Sequence, residues 1–401
     1  MLTLDKIYHA KYVLNDAIRK TDIIYCPVIS EECGSEVYLK TENLQITGSF
    51  KVRGAYYKIA QLSEDEKKKG VIACSAGNHA QGVALASKKF GIRSVICMPD
   101  GAPISKVEAT KSYGAEIVLV PGVYDDAHNE AERLKSERGF TLIHPFDDED
   151  VIAGQGTIGL EIIEQLKDVD AIVVPVGGGG LISGVAFAVK SLNPKVKVYG
   201  VQAAGAPSMV NALEHHKVEC LPSVSTVADG IAVKEPGILT FDACSKYVDK
   251  VVTVTDDQVS AAILALIEKQ KMIAEGAGAV ALAAVMYNKI SDIKGKKVVC
   301  LISGGNIDVT ILSRVINRGL LMGGRQCSLT IELVDKPGQL VAVSEIIAKC
   351  GGNVTAVLHE RSSEGTAING CYLKIQIETR NTDHIRQIRE HLKANGFKVI
   401  D

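Results

Sequence analysis

Lys51 stands in the run Ser49-Phe50-Lys51-Val52-Arg53-Gly54, and two glycine-rich loops elsewhere in the chain could complete a site around it. One is Gly177-Gly178-Gly179-Gly180, after the apolar run 171–176. The other, Ser303-Gly304-Gly305-Asn306, follows the apolar run 298–302. A lysine amine can form an imine with an aldehyde, and a glycine loop opening a helix can hold a phosphate on its backbone N–H groups. A hydroxyl such as Ser303 could meet the nitrogen of a heterocycle. Each piece alone is ordinary. Together they suit an aldehyde cofactor with a ring nitrogen and a phosphate, which is pyridoxal phosphate.

Each piece also has a plainer explanation. A lysine at a helix start is commonly solvated, but a cation there meets the positive end of the helix dipole, so compensation is expected. An imine is one such compensation, with Phe50 available to border the ring. Cys74-Ser75-Ala76-Gly77-Asn78-His79-Ala80-Gln81-Gly82 joins a predicted strand to a predicted helix. Its outward N–H groups suit a substrate carboxylate, and Asn78 could donate to a phenolic oxygen; a simple capped turn is the alternative. His79 has no acidic partner nearby in sequence and reads as structural. The glycines at 177–180 lead into Leu181-Ile182-Ser183-Gly184, without the Lys-Ser/Thr of a Walker loop. They also lack the G-x-G-x-x-G pattern with its acidic residue about 20 positions on. Four successive glycines let backbone amides approach one phosphate monoester closely.

The elements that must hold these residues follow a regular rhythm. From Gly70 onward short β-branched runs alternate with helical stretches: 70–74 then 80–90, 94–98 then 106–113, 115–120 then 124–138. The rhythm returns at 171–190, at 196–214 and around 251–303. Such alternation predicts βαβ units, a mainly parallel sheet and two α/β lobes with ligand between them. Gly319 to Gln326 breaks it and reads as a linker. Beyond lies an alternating strand (327–334), a turn at Asp335-Lys336-Pro337-Gly338, a helix face (Leu340, Val343, Ile346, Ile347) and strands at 354–360 and 371–378. A helix at about 382–394 and a strand at 397–400 complete βαββαβ, the ferredoxin-like order.

The 401 residues suit two or three compact units, and a net charge of −2 gives no reason to expect nucleic acid or an anionic membrane as partner. No stretch reads as a signal peptide or a membrane span, so a cytoplasmic protein is expected. The ten cysteines form no C-x-x-C pair, and several, such as Cys97 and Cys300, lie in strand-like runs as small hydrophobes.

The motifs around Lys51, Asn78, the glycines at 177–180 and Ser303 resemble those of pyridoxal-phosphate enzymes of fold type II, the tryptophan-synthase β type, and among them the threonine dehydratases (threonine ammonia-lyases). The resemblance spans residues 1–320, with a small lobe at about 52–145 inserted in a large one. The tail, 327–401, resembles an ACT domain, a ligand-sensing α+β module of ferredoxin-like topology. The resemblance implies that Lys51 carries the cofactor as an imine, Phe50 flanks its ring and Asn78 meets its 3′-oxygen. Gly177, Gly178, Gly179, Gly180 and Leu181 would bind its phosphate, Gly230 would lie beside it, and Ser303 would face the pyridine nitrogen. Ser75, Gly77 and Asn78 would form the loop for the substrate carboxylate. It further implies deamination of L-threonine to 2-oxobutanoate, with L-serine secondary. A small effector would bind near Asp335, Pro337, Gly338, Gln339, Leu340 and Asn353, in a homo-oligomer, dimer or tetramer.

Two departures sharpen that expectation. Serine racemases of this fold carry serine where Ala76 stands, and they ligate a divalent metal through acidic residues where Gln202 and Ser208 stand here. Weak racemisation and no metal site are therefore expected. Other readings are a β-replacement synthase, a threonine synthase or a serine racemase of the same fold, or a non-catalytic amino-acid sensor.

Overall fold

The computed structural model describes residues 2–361 and 368–400. In chain order the strands are β1 (Ile23–Tyr25), β2 (Glu36–Lys40), β3 (Val71–Cys74), β4 (Ser94–Pro99) and β5 (Glu116–Val120). Next come β6 (Thr141–Leu142), β7 (Ala171–Pro175), β8 (Lys197–Ala203), β9 (Lys250–Val254) and β10 (Lys297–Leu301). The last are β11 (Gln326–Val334), β12 (Asn353–Glu360), β13 (Gly370–Glu378) and β14 (Lys398–Ile400). The chain divides into two compact units, Met1–Leu312 and Ser313–Asp401.

Two sheets build the first unit. The larger runs β1-β2-β10-β7-β8-β9, parallel except for the β1 edge strand. The smaller, β5-β4-β3-β6, is wholly parallel. Their central strands β7 and β3 are buried along their whole length, as helices covering both faces require. This explains why these runs are continuously apolar rather than alternating. Glycine loops follow the C-terminal ends of β7 and β10, where an open α/β sheet presents ligand-binding backbone.

Helix Glu149–Gln165 ties the layers together, and every residue from Val151 to Ile162 in it is buried. It carries Gly154 on the side of helix Lys51–Ala60 and Gly156 on the side of helix Gly180–Leu192. A Cβ on Gly154 would stand 2.6 Å from Arg53 O, and one on Gly54 would stand 2.7 Å from Val151 O. A Cβ on Gly184 would collide with Ile152 O. Close backbone approach, with no side chain between, thus fixes the helix that begins at Lys51 against its neighbour.

The second unit has strand order β12-β13-β11-β14, all antiparallel, with two helices, Gln339–Lys349 and Thr382–Ala394. This is the expected βαββαβ topology. Its core pairs Leu329 with Ile375, Ile331 with Leu373 and Leu333 with Cys371 across the sheet, under Val343, Ile347, Ile388 and Leu392. The expected linker at 319–326 differs. Helix Val309–Met322 runs through Gly319, and only residues 323–325 turn, with Gly324 at φ +65. Leu320, Leu321 and Met322 are strong helix formers that outweigh one glycine.

All ten cysteines are free thiols. Among the described residues no helix is long and apolar enough to cross a membrane. Substituting Gly154→Ala should lower unfolding free energy by about 1–3 kcal/mol, the usual cost of overpacking. A urea midpoint that falls at unchanged slope is the expected result.

Candidate active site

Lys51 opens helix Lys51–Ala60 just after a bridge that pairs Ser49 with Gly304. Phe50 N donates to Ser303 O at 3.1 Å and Gly305 N to Gly48 O at 2.9 Å, so backbone bonds stitch the lysine loop to the second glycine loop. Lys51 Nζ donates to Pro145 O at 2.8 Å and lies 5.4 Å from the Phe50 ring centroid. The next residue, Phe146, packs on the first glycine loop. A Cβ on Gly178 would be 2.5 Å from its ring, and one on Gly180 would be 2.7 Å from its carbonyl oxygen. Residues 145 and 146 therefore connect the amine to the loop.

That loop is shaped by backbone alone. Gly179 has φ +97, a left-handed conformation at the N-cap of helix Gly180–Leu192. Thr240 Oγ1 donates to Gly178 O at 2.6 Å and holds that carbonyl in place. Among the described residues none accepts a hydrogen bond from the N–H groups of Gly178, Gly179, Gly180 or Leu181. Unpaired donors at a helix N-terminus are the chemistry that suits a phosphate.

Asn78 begins helix Asn78–Phe90 and is held from both sides. Its Nδ2 donates to Glu275 Oε1 at 2.6 Å, while its Oδ1 accepts from Asn306 Nδ2 at 2.8 Å. Ser75 Oγ accepts from Gly77 N at 3.2 Å, so Ser75, Gly77 and Asn78 share one turn. Ser303, buried, donates from Oγ to Ala277 O at 3.3 Å. Gly230 lies over the same residue: a Cβ there would be 3.1 Å from Ala277 Cβ and 3.4 Å from Glu275 Oε1. The structure thus gathers Phe50, Lys51, Asn78, Gly230, Ser303 and the 177–181 loop around one cleft. Unpaired loop N–H groups, a primary amine and a hydroxyl are the donor set that could hold pyridoxal phosphate.

Electrostatics favour a reactive amine. Desolvation lowers the Lys51 pKa to about 8, only partly offset by Glu275. Burial pushes Glu275 up to about 7, with Asp229 adding to the shift. His79 is held neutral, its pKa pulled down to about 3 by burial; its ring Nε2 meets Ile143 O at 2.8 Å, in keeping with a structural role. Glu275 has a faint sequence signal, one acid at the entrance to the alanine-rich helix Gly276–Met286, easily taken for a helix-dipole partner.

Two residues after Lys51, Arg53 is wholly buried. It forms a fork with Glu42 (Nε–Oε2 2.8 Å, Nη2–Oε1 2.8 Å) and another with Glu161 (Nη1–Oε1 2.7 Å, Nη2–Oε2 3.0 Å). Lys40 Nζ, also buried, donates to Glu161 Oε2 at 2.6 Å and to Thr21 O at 2.7 Å. Two cations and two carboxylates balance. Burial opposes the charge on Arg53, but Glu42 and Glu161 more than offset it and hold its pKa above the ordinary value. Burial likewise disfavours the Glu161 carboxylate, yet Arg53 and Lys40 bring its pKa below the usual range. The quartet anchors the helix of Lys51 to the end of β2 and to helix Glu149–Gln165.

Away from the cleft, Gln202 Nε2 and Ser208 Oγ lie 3.4 Å apart, and Gln202 Oε1 accepts from Val210 N at 2.9 Å, so these groups serve the fold. In the second unit Asp335, Pro337, Gly338, Gln339 and Leu340 line a cavity of about 410 Å³ with His359, Arg361 and Cys371. Asn353 does not join them; its Nδ2 bonds Glu378 Oε2 at 2.8 Å on the sheet. Asp335, His359 and Cys371 could reach one metal ion, although Arg361 Nε already sits 3.1 Å from Asp335 Oδ2.

Residues 14–304 match the family described as pyridoxal-phosphate dependent enzyme. The chain belongs to this family, its cofactor is pyridoxal phosphate, and its body has the α/β architecture of fold type II. An L-threonine ammonia-lyase of Thermotoga maritima is 50% identical over 399 residues, covering 100% of this chain and 99% of that protein. The processed form of threonine deaminase isoform 2 from Solanum lycopersicum is 40% identical, with TM-score 0.75, covering 79% of this chain and 89% of that one. Maize serine racemase is 35% identical, with TM-score 0.75, covering 80% and 98%.

Replacing Glu161→Gln leaves Arg53 and Lys40 short of a counter-charge and should cost about 3–5 kcal/mol at neutral pH. Because the Glu161 pKa is lowered on folding, its contribution is present above the reference value of 4.5 and is lost as pH falls through the folded value. Urea titrations should show the gap between the two proteins closing at acid pH.

Proposed function

We propose that this chain deaminates L-threonine to 2-oxobutanoate and ammonium, with L-serine to pyruvate as a secondary activity. The observation that carries the reading is the Lys51 amine, which donates to Pro145 O at 2.8 Å next to Phe146 on the glycine loop, with burial lowering its pKa to about 8. Likeness to an L-threonine ammonia-lyase over nearly the full length of both chains supports the choice of substrate.

Pyridoxal phosphate, when bound, supplies an electron sink for the pair left behind when the α-proton departs. In this reading Lys51 anchors the cofactor through Nζ and, once released, takes the α-proton. An amine titrating near pH 8 is partly neutral under ordinary conditions and can act as that base. The N–H groups of Gly177, Gly178, Gly179, Gly180 and Leu181 would hold the cofactor's phosphate. Asn78 would hold the ring oxygen, Phe50 and Gly230 would border the ring, and Ser303 Oγ would serve its nitrogen. A neutral hydroxyl does not enforce protonation there as a carboxylate would, which favours prompt loss of the β-hydroxyl. The turn of Ser75, Gly77 and Asn78 orients the substrate carboxylate, and Lys51 returns its proton to the departing hydroxyl. Water then hydrolyses the released enamine to the oxo acid and ammonium.

A serine racemase is the second reading, favoured by the maize structure. Against it, Ala76 has no group that could deliver a proton to the opposite face. We assign residues 1–320 to the catalytic domain, with a small lobe at about 52–145, and 327–401 to an ACT-like regulatory domain. The βαββαβ order and the cavity at Asp335–Leu340 support a small effector there. A homo-oligomer, dimer or tetramer, fits that arrangement.

Lys51→Ala should lose the visible cofactor band and slow 2-oxobutanoate formation by at least roughly 10²–10⁴-fold, the range of a lost general base. A variant that keeps both would refute the assignment. For the tail, threonine saturation curves of the full chain should shift on adding isoleucine, valine or a nucleotide; curves that superimpose with all three would reject regulation by these effectors.

A further inference from the structure

Among the described residues, Glu275 is a buried carboxyl of the cleft that the reaction leaves without a task. It is 4% exposed, and among the described residues it has no ion-pair partner. Space is reserved for it: a Cβ on Gly304 would collide with Oε1, and one on Gly230 would touch it at 3.4 Å. Its contact is Asn78 Nδ2, at 2.6 Å. The other side of the Asn78 amide is already taken, since Oδ1 accepts from Asn306 Nδ2, which also donates to Thr47 O at 2.7 Å. One Asn78 N–H is thereby spent on Glu275, and the second is left aimed by the same network.

We infer that Glu275 is a positioning residue for the reaction: it sets the Asn78 amide toward the cofactor's ring oxygen. The inference rests on the reading of the cleft given above. The charged groups acting on Glu275 are Asp229, Lys106 and Lys51, and Asp229 pairs with Lys106 at 2.6 Å. His79 and His144 stand around Lys51. With burial, then Asp229, raising its pKa to about 7, Glu275 is protonated in mild acid and ionised in mild base. The ionised form accepts more strongly from Asn78 and raises the basicity of Lys51.

Two substitutions in the holoenzyme test this. Glu275→Gln keeps the size and the acceptor oxygen but cannot ionise. It should retain cofactor, yet lose the inflection near pH 7 from the pH titration of cofactor absorbance and from the kcat/KM profile. Glu275→Ala also frees the Asn78 amide and should weaken cofactor binding roughly tenfold to a hundredfold, as loss of a buried hydrogen bond does. A purely structural Glu275 would alter the binding constant but leave the Gln profile like that of the unaltered chain, and that result overturns the inference. Absence of a cofactor band from the unaltered chain would instead sink the reading of the cleft itself.

Discussion

Arg53 surrenders all its contact with water, and the placement of the lysine two residues earlier depends on how that loss is repaid. Taking such a cation out of water costs several kcal/mol, and only a complete set of charged hydrogen bonds offsets it. Glu42 and Glu161 provide two forks, and Lys40 neutralises the charge left over. Each member comes from a different element: the end of β2, the turn beyond it, the helix of Lys51, and helix Glu149–Gln165. Any rotation of the Lys51 helix would separate charges that have nowhere else to go. Glycines on both sides of that helix contact then bring the backbones close enough for the forks to close.

The same helix treats its two cations in opposite ways. Arg53 is surrounded by anions and stays charged. Lys51 has a carbonyl and an aromatic ring for neighbours, and Glu275 only partly offsets its burial, so its charged form is penalised. A fully paired scaffold thus holds an amine whose charge is only partly offset. The unpaired N–H groups of residues 178–181 are connected to the amine through Pro145 and Phe146.

Much of this is readable from residue order, because parallel strands buried on both faces leave β-branched runs, and β3, β4 and β7 fall where those runs do. Alternation in β11 and β13 marks the one-sided sheet of the second unit equally well. Short motifs mark Lys51, Asn78, Ser303 and the four glycines as candidates, and the glycines are readable because backbone must pass close to a neighbour, as Gly178 and Gly180 do to Phe146. What is hidden lies in long-range pairing. Glu161 meets Arg53 from 108 positions away, and Glu275 meets Asn78 from 197. Neither acid differs from a surface glutamate until the fold brings its partner. Asn353 sits one residue past a glycine pair and looks available, yet its side chain is used by the adjacent strand. The helix through Gly319 shows the converse, where flanking helix formers override a break signal.

The central claim is that one amine, at position 51, is the point of attachment for the cofactor. Borohydride reduction of the holoenzyme, followed by peptide mapping, reads this directly. The account predicts a phosphopyridoxyl group on the peptide that contains Lys51 and on no other. Stable label on a different lysine, or none at all in protein that carries the cofactor band, would contradict it.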